Sequence, residues 1–303
     1  MEVWILFNEE VESSTAEAFE IRRFMAEGRN MGIDVKVFHP EQFDLLVTEE
    51  ETDSILIDGK PVLLPDFMLP RTYVIETGYF PLAILRQFER LGVPVYNTAS
   101  CIERVADKLR THQILAEKGL PTPTTMLAKF HIGFPVVVKT LLGVNGSGVF
   151  LIENREAFLD LMNLIGETNP NIQLIFQKFV AASKGRDLRV FIVNGKVIAC
   201  MERRAAAGGF KANYSQGGSV NEFIIDEEAA EISIATADAL DIQVAGIDLL
   251  FTEHGYTICE ANTFPGFKGL ETACDVNVPK EIFSAMLEDL EARGGPRRAR
   301  LEA

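Results

Sequence analysis

The first part of the chain alternates short apolar runs with longer stretches in which apolar side chains recur every three or four residues. Short apolar runs predict strands, and a recurrence near the helical period of 3.6 residues predicts helices. Strands are expected at VWILF, VKVFH, ILID, DFMLP and VPVYN, and helices at Thr15–Met31 and Tyr79–Leu91. This alternation predicts an N-terminal α/β domain at residues 1–97.

A second unit is expected at residues 98–174. Its pattern predicts one amphipathic helix at Ile102–Lys118 and another at Arg155–Leu164. Between them, the stretch VVVKTLLGVNGSGVFLIE places three glycines between two β-branched apolar runs. That arrangement predicts a β-hairpin with a glycine-rich tip, whereas the P-loop and dinucleotide-binding motifs both open a helix.

The glycine-rich tip, Gly143–Gly148, has two interpretations. As a flap over a nucleotide, it would let backbone N–H groups approach phosphate oxygens, with the Lys139 ammonium group nearby. As an ordinary turn, it would only connect two strands. The loop by itself favours the ordinary turn, so the rest of the chain must decide.

A third unit, residues 175–292, is rich in predicted hairpins. One spans Leu188–Ile198 with its turn at Asn194-Gly195, and another spans Val244–Ala261 with its turn near Glu253–Gly255. Asn-Gly is a strong hairpin signal because the favoured turn needs positive φ at both residues.

The second hairpin carries acidic residues inside apolar runs. If its turn centres on His254, Asp248 and Glu260 face one another, with Cβ atoms about 5 Å apart. Two like charges there repel unless a cation lies between them, so removing one acid should relieve a repulsion. Asn262 adds an amide oxygen on the same strand face, and magnesium binds such oxygens together with substrate phosphates. The alternative is a solvated hairpin whose acids are close by chance.

The first hairpin carries the basic groups that phosphate binding would need. Arginine binds phosphate with paired donors, and an aspartate can accept a hydrogen bond from a ribose hydroxyl group. An ordinary charged sheet edge is the alternative. The residues concerned are Asp187, Arg189, Arg203, Arg204, Lys211 and Asn213.

Composition narrows the class of protein. The 303 residues are 47% hydrophobic and 24% charged, and no apolar run approaches the length of a membrane span. Four scattered cysteines and four unclustered histidines support neither a disulfide framework nor a zinc site, which favours the cytoplasm. A net charge of −15 disfavours nucleic acid and anionic membranes as partners. The basic tail, residues 293–303, is expected to be a frayed terminus rather than a recognition arm.

Together these motifs resemble the ATP-grasp fold. The segments FPVVVKTLLGVNGSGVFL, GRDLRVFIVNGKVIACMERRA, FKANYSQGG and AGIDLLF with CEANTFPGFKGLE are similar to the RimK family of glutamate ligases. The resemblance covers nearly the whole chain. It implies an N-terminal pre-ATP-grasp α/β domain followed by an ATP-grasp fold. It also implies an ATP-dependent carboxylate–amine ligase that adds L-glutamate to a protein or small molecule through an acylphosphate.

The resemblance also implies roles for individual residues. The nucleotide phosphates would be bound by the lysines, the flap and one loop: Lys108, Lys139, Gly146, Ser147, Gly148, Lys211 and Asn213. Gln177, Lys178 and Phe179 would line the adenine hinge, and Asp187 would contact the ribose. Asp248, Glu260 and Asn262 would hold Mg²⁺ or Mn²⁺, with two ions expected, and Arg203 together with Lys139 would be catalytic. A homo-oligomer is expected.

Two departures from the family pattern concern the hinge and the substrate. Lys178 stands where an acid is usual, and Asn262-Thr263-Phe264-Pro265-Gly266 replaces the common Asn-Ala-Ser-Pro-Gly. The second change leaves the acceptor open. A small-molecule ligase, which would make a dipeptide or a glutamylated cofactor, and a carrier-protein ligase of lysine biosynthesis remain alternatives. So does a nucleotide-binding regulatory or scaffold module without turnover.

Overall fold

The computed structural model describes residues 1–47, 54–72, 78–127, 133–142, 148–206, 209–212 and 217–296. Contacts divide the chain into two units. The first contains Met1–Ile102, Ile242–Ala245 and Thr263–Ala303, and the second contains Glu103–Asp241 and Gly246–Asn262. The predicted boundaries at residues 97, 174 and 292 stay predictions.

The described chain forms groups of strands separated by helices. The helices are α1 (Ala16–Met31), α2 (Tyr79–Arg90), α3 (Ala99–Ala106), α4 (Lys108–Glu117), α5 (Arg155–Thr168), α6 (Glu227–Leu240), α7 (Lys268–Ala273) and α8 (Val278–Ala292). The first strands are β1 (Glu2–Leu6), β2 (Asp34–Phe38), β3 (Phe43–Leu45), β4 (Ile55–Ile57), β5 (Lys60–Pro61), β6 (Phe67–Pro70) and β7 (Thr125–Met126). They are followed by β8 (Val136–Thr140), β9 (Val149–Ile152), β10 (Leu174–Lys178), β11 (Arg186–Val193), β12 (Lys196–Arg204), β13 (Ser219–Glu222), β14 (Val244–Thr252) and β15 (Gly255–Asn262). Within the described ranges, no helix combines the length and apolar character needed to cross a membrane.

The first unit contains a parallel sheet of order β2-β1-β6 and a small antiparallel sheet of order β3-β4-β5. The central strand β1 is buried almost throughout, as expected for a parallel strand covered on both faces. Thr15 caps α1 by accepting a hydrogen bond from Ala18 N at 3.2 Å, which confirms the predicted start of that helix. The predicted strand VPVYN is wrong, because Val95 forms only an isolated parallel bridge with Met68.

The second unit contains two sheets, of order β7-β10-β8-β9 and β13-β12-β11-β14-β15. Strands β8 and β9 pair antiparallel, which confirms the hairpin on either side of the glycine-rich tip. Residues 143–147 of that tip lie outside the described residues. Gly148 has φ +67°, and a Cβ there would lie 2.6 Å from Cγ2 of Thr140, so this position requires glycine.

The single helix predicted at Ile102–Lys118 is wrong. Asp107 has an extended backbone between α3 and α4, and its carboxylate accepts a hydrogen bond from Arg110 N at 3.0 Å. Aspartate is a favoured N-cap because it satisfies a backbone donor that would otherwise lack a partner at the helix start. The chain therefore ends one helix and begins another inside a continuous amphipathic pattern.

Helices α6 and α8 lie in the region predicted to be rich in hairpins and were not predicted. Both begin at recognisable caps: Asp226 accepts from Ala229 N at 2.8 Å, and Asn277 accepts from Lys280 N at 3.2 Å. Pro279 in the first turn of α8 is a further start signal. These caps were the available signals for both helices.

The fully buried side chain of Asn97 joins three parts of the first unit. Its Nδ2 donates to the carbonyl oxygens of Val244 at 2.9 Å and Thr263 at 2.8 Å. Its Oδ1 accepts from the backbone N–H groups of Gln243 at 2.7 Å and Val244 at 2.9 Å. One amide thus satisfies backbone groups on both sides of the β14–β15 hairpin.

We expect Asn97→Ala to lower the free energy of unfolding by about 3 kcal/mol, because it leaves buried backbone donors and acceptors without partners. Thermal unfolding measures the change. Asn221→Ala, at an exposed position of β13, is the matched control and should shift stability by less than about 0.5 kcal/mol. Equal melting temperatures for the two variants would contradict this role.

Candidate active site

The β14–β15 hairpin brings Asp248 opposite Glu260, as predicted. The route to this register differs from the expected one. Thr252 pairs with Gly255, so the turn has two residues and is not centred on His254. A β-bulge between the Asp248 and Leu249 pairings then shifts the register by one residue at Cys259. Without the bulge, Asp248 would face Cys259 instead of the second carboxylate.

The negative charge of Asp248 is compensated by two arginine side chains of the protein. Its Oδ1 accepts from Nε of Arg189 at 2.7 Å, and its Oδ2 accepts from Nη2 of Arg189 at 2.7 Å. Nη2 of Arg203 lies 2.8 Å from the same Oδ2. Burial opposes ionisation of Asp248, but the two guanidinium groups outweigh it and hold the pKa well below its usual value. The expectation that removing this acid would relieve a repulsion is therefore wrong.

Arg203 connects Asp248 to a third carboxylate. Its Nε donates to Oδ1 of Asp187 at 2.6 Å, and its Nη2 donates to Oδ2 at 2.9 Å. The two residues face one another in the β11–β12 register, and both are buried. Burial raises the pKa of Asp187 against the opposing effect of Arg203. Since both oxygens of Asp187 accept from Arg203, the structure shows Asp187 orienting this arginine, and the ribose contact stays a prediction.

These charges form a row across the five-stranded sheet. Arg203 lies on β12, Asp187 and Arg189 on β11, Asp248 on β14 and Glu260 on β15, which are successive neighbours. Arg189 was placed beside Asp187 by strand periodicity, but its pairing with Asp248 was missed. The sheet order supplies that pairing.

Lys139 on β8 and Lys108 at the start of α4 lie near this row. The buried Lys139 Nζ is 3.6 Å from Sγ of Cys259. Burial would lower the pKa of Lys139, but Cys259, Glu260 and Asp248 together raise it above its usual value. Burial raises the pKa of Cys259 to about 11, so this group is a thiol at neutral pH. Burial lowers the pKa of Lys108, partly offset by Glu260.

Gln177 of the predicted adenine hinge forms a buried polar pair with His112. Nε2 of Gln177 lies 3.0 Å from Nε2 of His112 and 3.1 Å from Oγ1 of Thr125. Burial, with a smaller effect from Lys139, lowers the pKa of His112 to about 4, so the imidazole is neutral at pH 7. His112 was missed because an isolated histidine within an amphipathic helix carries no distinguishing pattern.

The remaining predicted site residues that the structure describes are not part of the buried row of charges. Lys178 is exposed and its backbone N–H donates to Thr124 O, while Phe179 is partly buried. Nζ of Lys211 lies 5.9 Å from the Phe150 ring on the flap hairpin. Gly146, Ser147 and Asn213 lie outside the described residues. Exposed Arg204 pairs with Glu202 at 2.9 Å and is not part of the buried row.

The oxygen donors fit a hard cation. Nδ2 of Asn262 donates to Gly246 O at 3.2 Å, which leaves the amide oxygen Oδ1 as the atom available to a metal. No group of three or more His, Cys, Asp or Glu side chains within the described ranges is arranged to hold a metal. A cation here would rely on Asp248, Glu260 and Asn262 together with ligands from a substrate.

The loop after Asn262, which departs from the family pattern, is held within the first unit. Buried Glu20 accepts from the backbone N–H groups of Phe267 at 2.6 Å and Lys268 at 3.2 Å. Arg71 pairs with Glu20 and donates to Pro265 O at 3.4 Å. Phe264 packs against the core of the first unit, so the departure at this position contributes to packing.

Comparison with known proteins identifies the family. Residues 105–286 match the RimK-like ATP-grasp domain, and residues 1–102 match the RimK pre-ATP-grasp domain. The chain belongs to the RimK-like ATP-grasp family. The expected ATP-grasp fold with its N-terminal pre-ATP-grasp domain is confirmed, and the chain is an ATP-grasp ligase.

Relatives named probable alpha-L-glutamate ligase match most of the chain, and two of them serve as examples. The one from Legionella pneumophila (strain Corby) is 32% identical over 285 residues, covering 91% of this chain and 92% of the relative. The one from Thioalkalivibrio sulfidiphilus is 35% identical over 283 residues, covering 90% and 92%.

Solved structures share the fold of this RimK-like ligase. The ATP-grasp ligase PsnB, complexed with minimal precursor, Mg and ADP, has a TM-score of 0.69 at 17% identity, covering 94% of this chain and 98% of PsnB. The D-alanine–D-alanine ligase from Bacillus anthracis, complexed with ATP, has a TM-score of 0.67 at 17% identity, covering 95% and 96%.

We expect Asp248→Asn to destabilise this RimK-like ligase by about 3 kcal/mol, because two buried guanidinium groups lose a counter-charge. Chemical denaturation monitored by circular dichroism measures the loss. Asp160→Asn, at an exposed position of α5, is the control and should be nearly neutral. A variant as stable as the wild type would show that Arg189 and Arg203 do not depend on this carboxylate.

His112 should make stability depend on pH between about 6.5 and 4. Its folded pKa of about 4 lies below the ordinary 6.5, so the unfolded chain takes up the proton first as pH falls. The contribution of neutral His112 to the free energy of unfolding is complete above about pH 6.5. It decreases by about 3 kcal/mol as the pH falls to 4. Thermal unfolding at several pH values should show a smaller decrease for His112→Leu than for the wild type. Exposed His254→Gln should retain the wild-type slope, and identical slopes for all three proteins would refute the assignment.

Proposed function

We propose that this RimK-like ligase uses ATP to join the carboxylate of one substrate to the amine of another, adding L-glutamate to an acceptor. The observation that carries the proposal is the row of charges across the five-stranded sheet, with Arg203 buried between Asp187 and Asp248. The two relatives named probable alpha-L-glutamate ligase support glutamate as the added group.

The reaction needs activation because a carboxylate is a poor electrophile. A carboxylate oxygen attacks the γ-phosphorus of ATP, the bond to the β,γ-bridging oxygen breaks, and ADP leaves. The amine then attacks the carbonyl carbon of the acylphosphate, loses a proton and displaces inorganic phosphate. Catalysis of such a transfer rests on positioning and on neutralising charge, so it needs no nucleophile from the protein.

Arg203 is suited to stabilising charge on the transferred phosphoryl group. Asp187 holds its Nε and Nη2, and Asp248 lies against Nη2, so the guanidinium plane is fixed before substrate binds. Donors that are already oriented need no reorganisation during the reaction. The buried Lys139 supplies a second fixed positive charge for nucleotide phosphate.

Asp248, Glu260 and Asn262 would hold Mg²⁺ or Mn²⁺. The metal ions, of which we propose two, supply charge neutralisation for the nucleotide phosphates when bound. Lys108 and the flap with Gly146, Ser147 and Gly148 would bind the same phosphates. The hinge, Gln177, Lys178 and Phe179, would bind adenine, and the loop with Lys211 and Asn213 would also contact phosphate. The acceptor would be a protein or a small molecule, joined to L-glutamate by an amide bond.

The test is ADP release with L-glutamate and a panel of candidate acceptors, including amino acids and ribosomal protein S6, with product masses determined by mass spectrometry. We expect ADP and a mass increase of whole glutamate residues on one acceptor class. Lys139→Met should lower kcat by about 100-fold or more, because a fixed positive charge at the phosphate is lost. Lys196→Met, at an exposed hairpin position, should retain wild-type kcat.

Two results would contradict the proposal. ADP release that does not depend on any carboxylate substrate would exclude carboxylate activation. Nucleotide binding without turnover on the whole panel would favour the regulatory module instead.

A further inference from the structure

Cationic side chains largely neutralise the acids around the proposed metal ligands. The cations are Lys108, Lys139, Arg189 and Arg203, and the acids are Asp187, Asp248 and Glu260, with Asp107 beside Lys108. A cluster whose acids are already paired offers little net attraction to a free divalent cation.

Arg189 makes the largest contribution to this balance at Asp248. Its two hydrogen bonds, both 2.7 Å long, occupy both oxygens of the carboxylate, and Arg203 lies at 2.8 Å from one of them. A carboxylate offers roughly four lone-pair positions, of which three face guanidinium nitrogens here. In the free protein, most of the negative charge and most of the acceptor positions of Asp248 are therefore already taken up by arginines and are not available to a metal ion.

We propose that Arg189 occupies Asp248 in the free site, so that divalent metal binds weakly alone and enters together with nucleotide. The proposal rests on the proposed function, which assigns Asp248, Glu260 and Asn262 to the metal. Nucleotide phosphates add negative charge to the site and supply metal ligands of their own. Metal and nucleotide must then raise each other's affinity by the same factor.

The arrangement also explains why an arginine lies beside a metal ligand. Arginine stays charged at every accessible pH and forms two parallel bonds to a carboxylate, so it competes persistently with a cation for Asp248. Arg189 is thus a positioning residue: it acts on the metal site through Asp248.

The experiment is a titration of the protein with Mn²⁺, in which electron paramagnetic resonance measures free Mn²⁺, with and without ADP. The wild type should bind Mn²⁺ weakly without ADP and much more tightly with it. Arg189→Met should tighten nucleotide-free Mn²⁺ binding by roughly tenfold and reduce the gain from ADP. Arg189→Lys, which keeps the charge, should remain closer to the wild type.

Arg186→Met is the matched control, because it removes one arginine from the same strand at a half-buried position, 3.8 Å from Glu202 and away from Asp248. It should leave both Mn²⁺ affinities unchanged. Unchanged nucleotide-free affinity in Arg189→Met, or an equal gain in Arg186→Met, would overturn the proposal. Circular dichroism confirms that the variants compared are folded.

The wild type alone provides a second test that needs no variant. Nucleotide-free binding as tight as binding with ADP would overturn the role of Arg189 and leave the metal assignment standing. Absence of Mn²⁺ binding even with ADP would instead overturn the metal assignment on which the proposal rests.

Discussion

A buried carboxylate that must be compensated organises the second unit. Asp248 is almost fully buried, and a charge in that environment is tolerated only when counter-charges and hydrogen bonds satisfy it. Arg189 and Arg203 meet this requirement from two other strands, and Asp187 in turn meets the requirement of Arg203. Strands β11, β12 and β14 must therefore present their charged residues on one face in a single register. The same condition keeps the arginines oriented where phosphate is proposed to bind.

Local rules predicted much of this from sequence. Asn194-Gly195 located one hairpin, but its two-residue turn alone would pair Asp187 with Glu202. A register shift between Phe191 and Ile192 brings Asp187 opposite Arg203 instead, and the turn signal does not encode that shift. The contact between Arg189 and Asp248 joins residues 59 positions apart on strands that the chain does not connect directly. It depends on sheet order, which periodicity does not encode. The Asp248–Glu260 pairing was predicted correctly, although the bulge at Cys259, and not the position of the turn, produces it.

Helix capping and packing explain other differences between expectation and structure. The amphipathic pattern around Asp107 is continuous, yet an aspartate that caps the next helix interrupts the backbone. His112 and Gln177 look unremarkable in sequence, and only the packing of α4 against the hinge strand pairs them and keeps the imidazole neutral. Phe264, at a departure from the family pattern, packs against the core of the first unit. The cap at Asp107 acts within its own helix, whereas the surroundings of His112 and Phe264 come from parts of the chain distant in sequence.

The first unit is assembled from three separated segments, and Asn97 hydrogen-bonds to the backbone of the second and third. The pre-ATP-grasp domain is therefore not an independent module. A fragment that ends at residue 102, where the match to the pre-ATP-grasp domain ends, would contain the parallel sheet of order β2-β1-β6. It would lack the backbone groups that hydrogen-bond to the Asn97 side chain. Recombination that exchanges N-terminal domains between relatives would have to carry matching residues from near 243 and 263 as well. The path of the chain thus makes the stability of the pre-ATP-grasp domain depend on residues that lie within the ATP-grasp match.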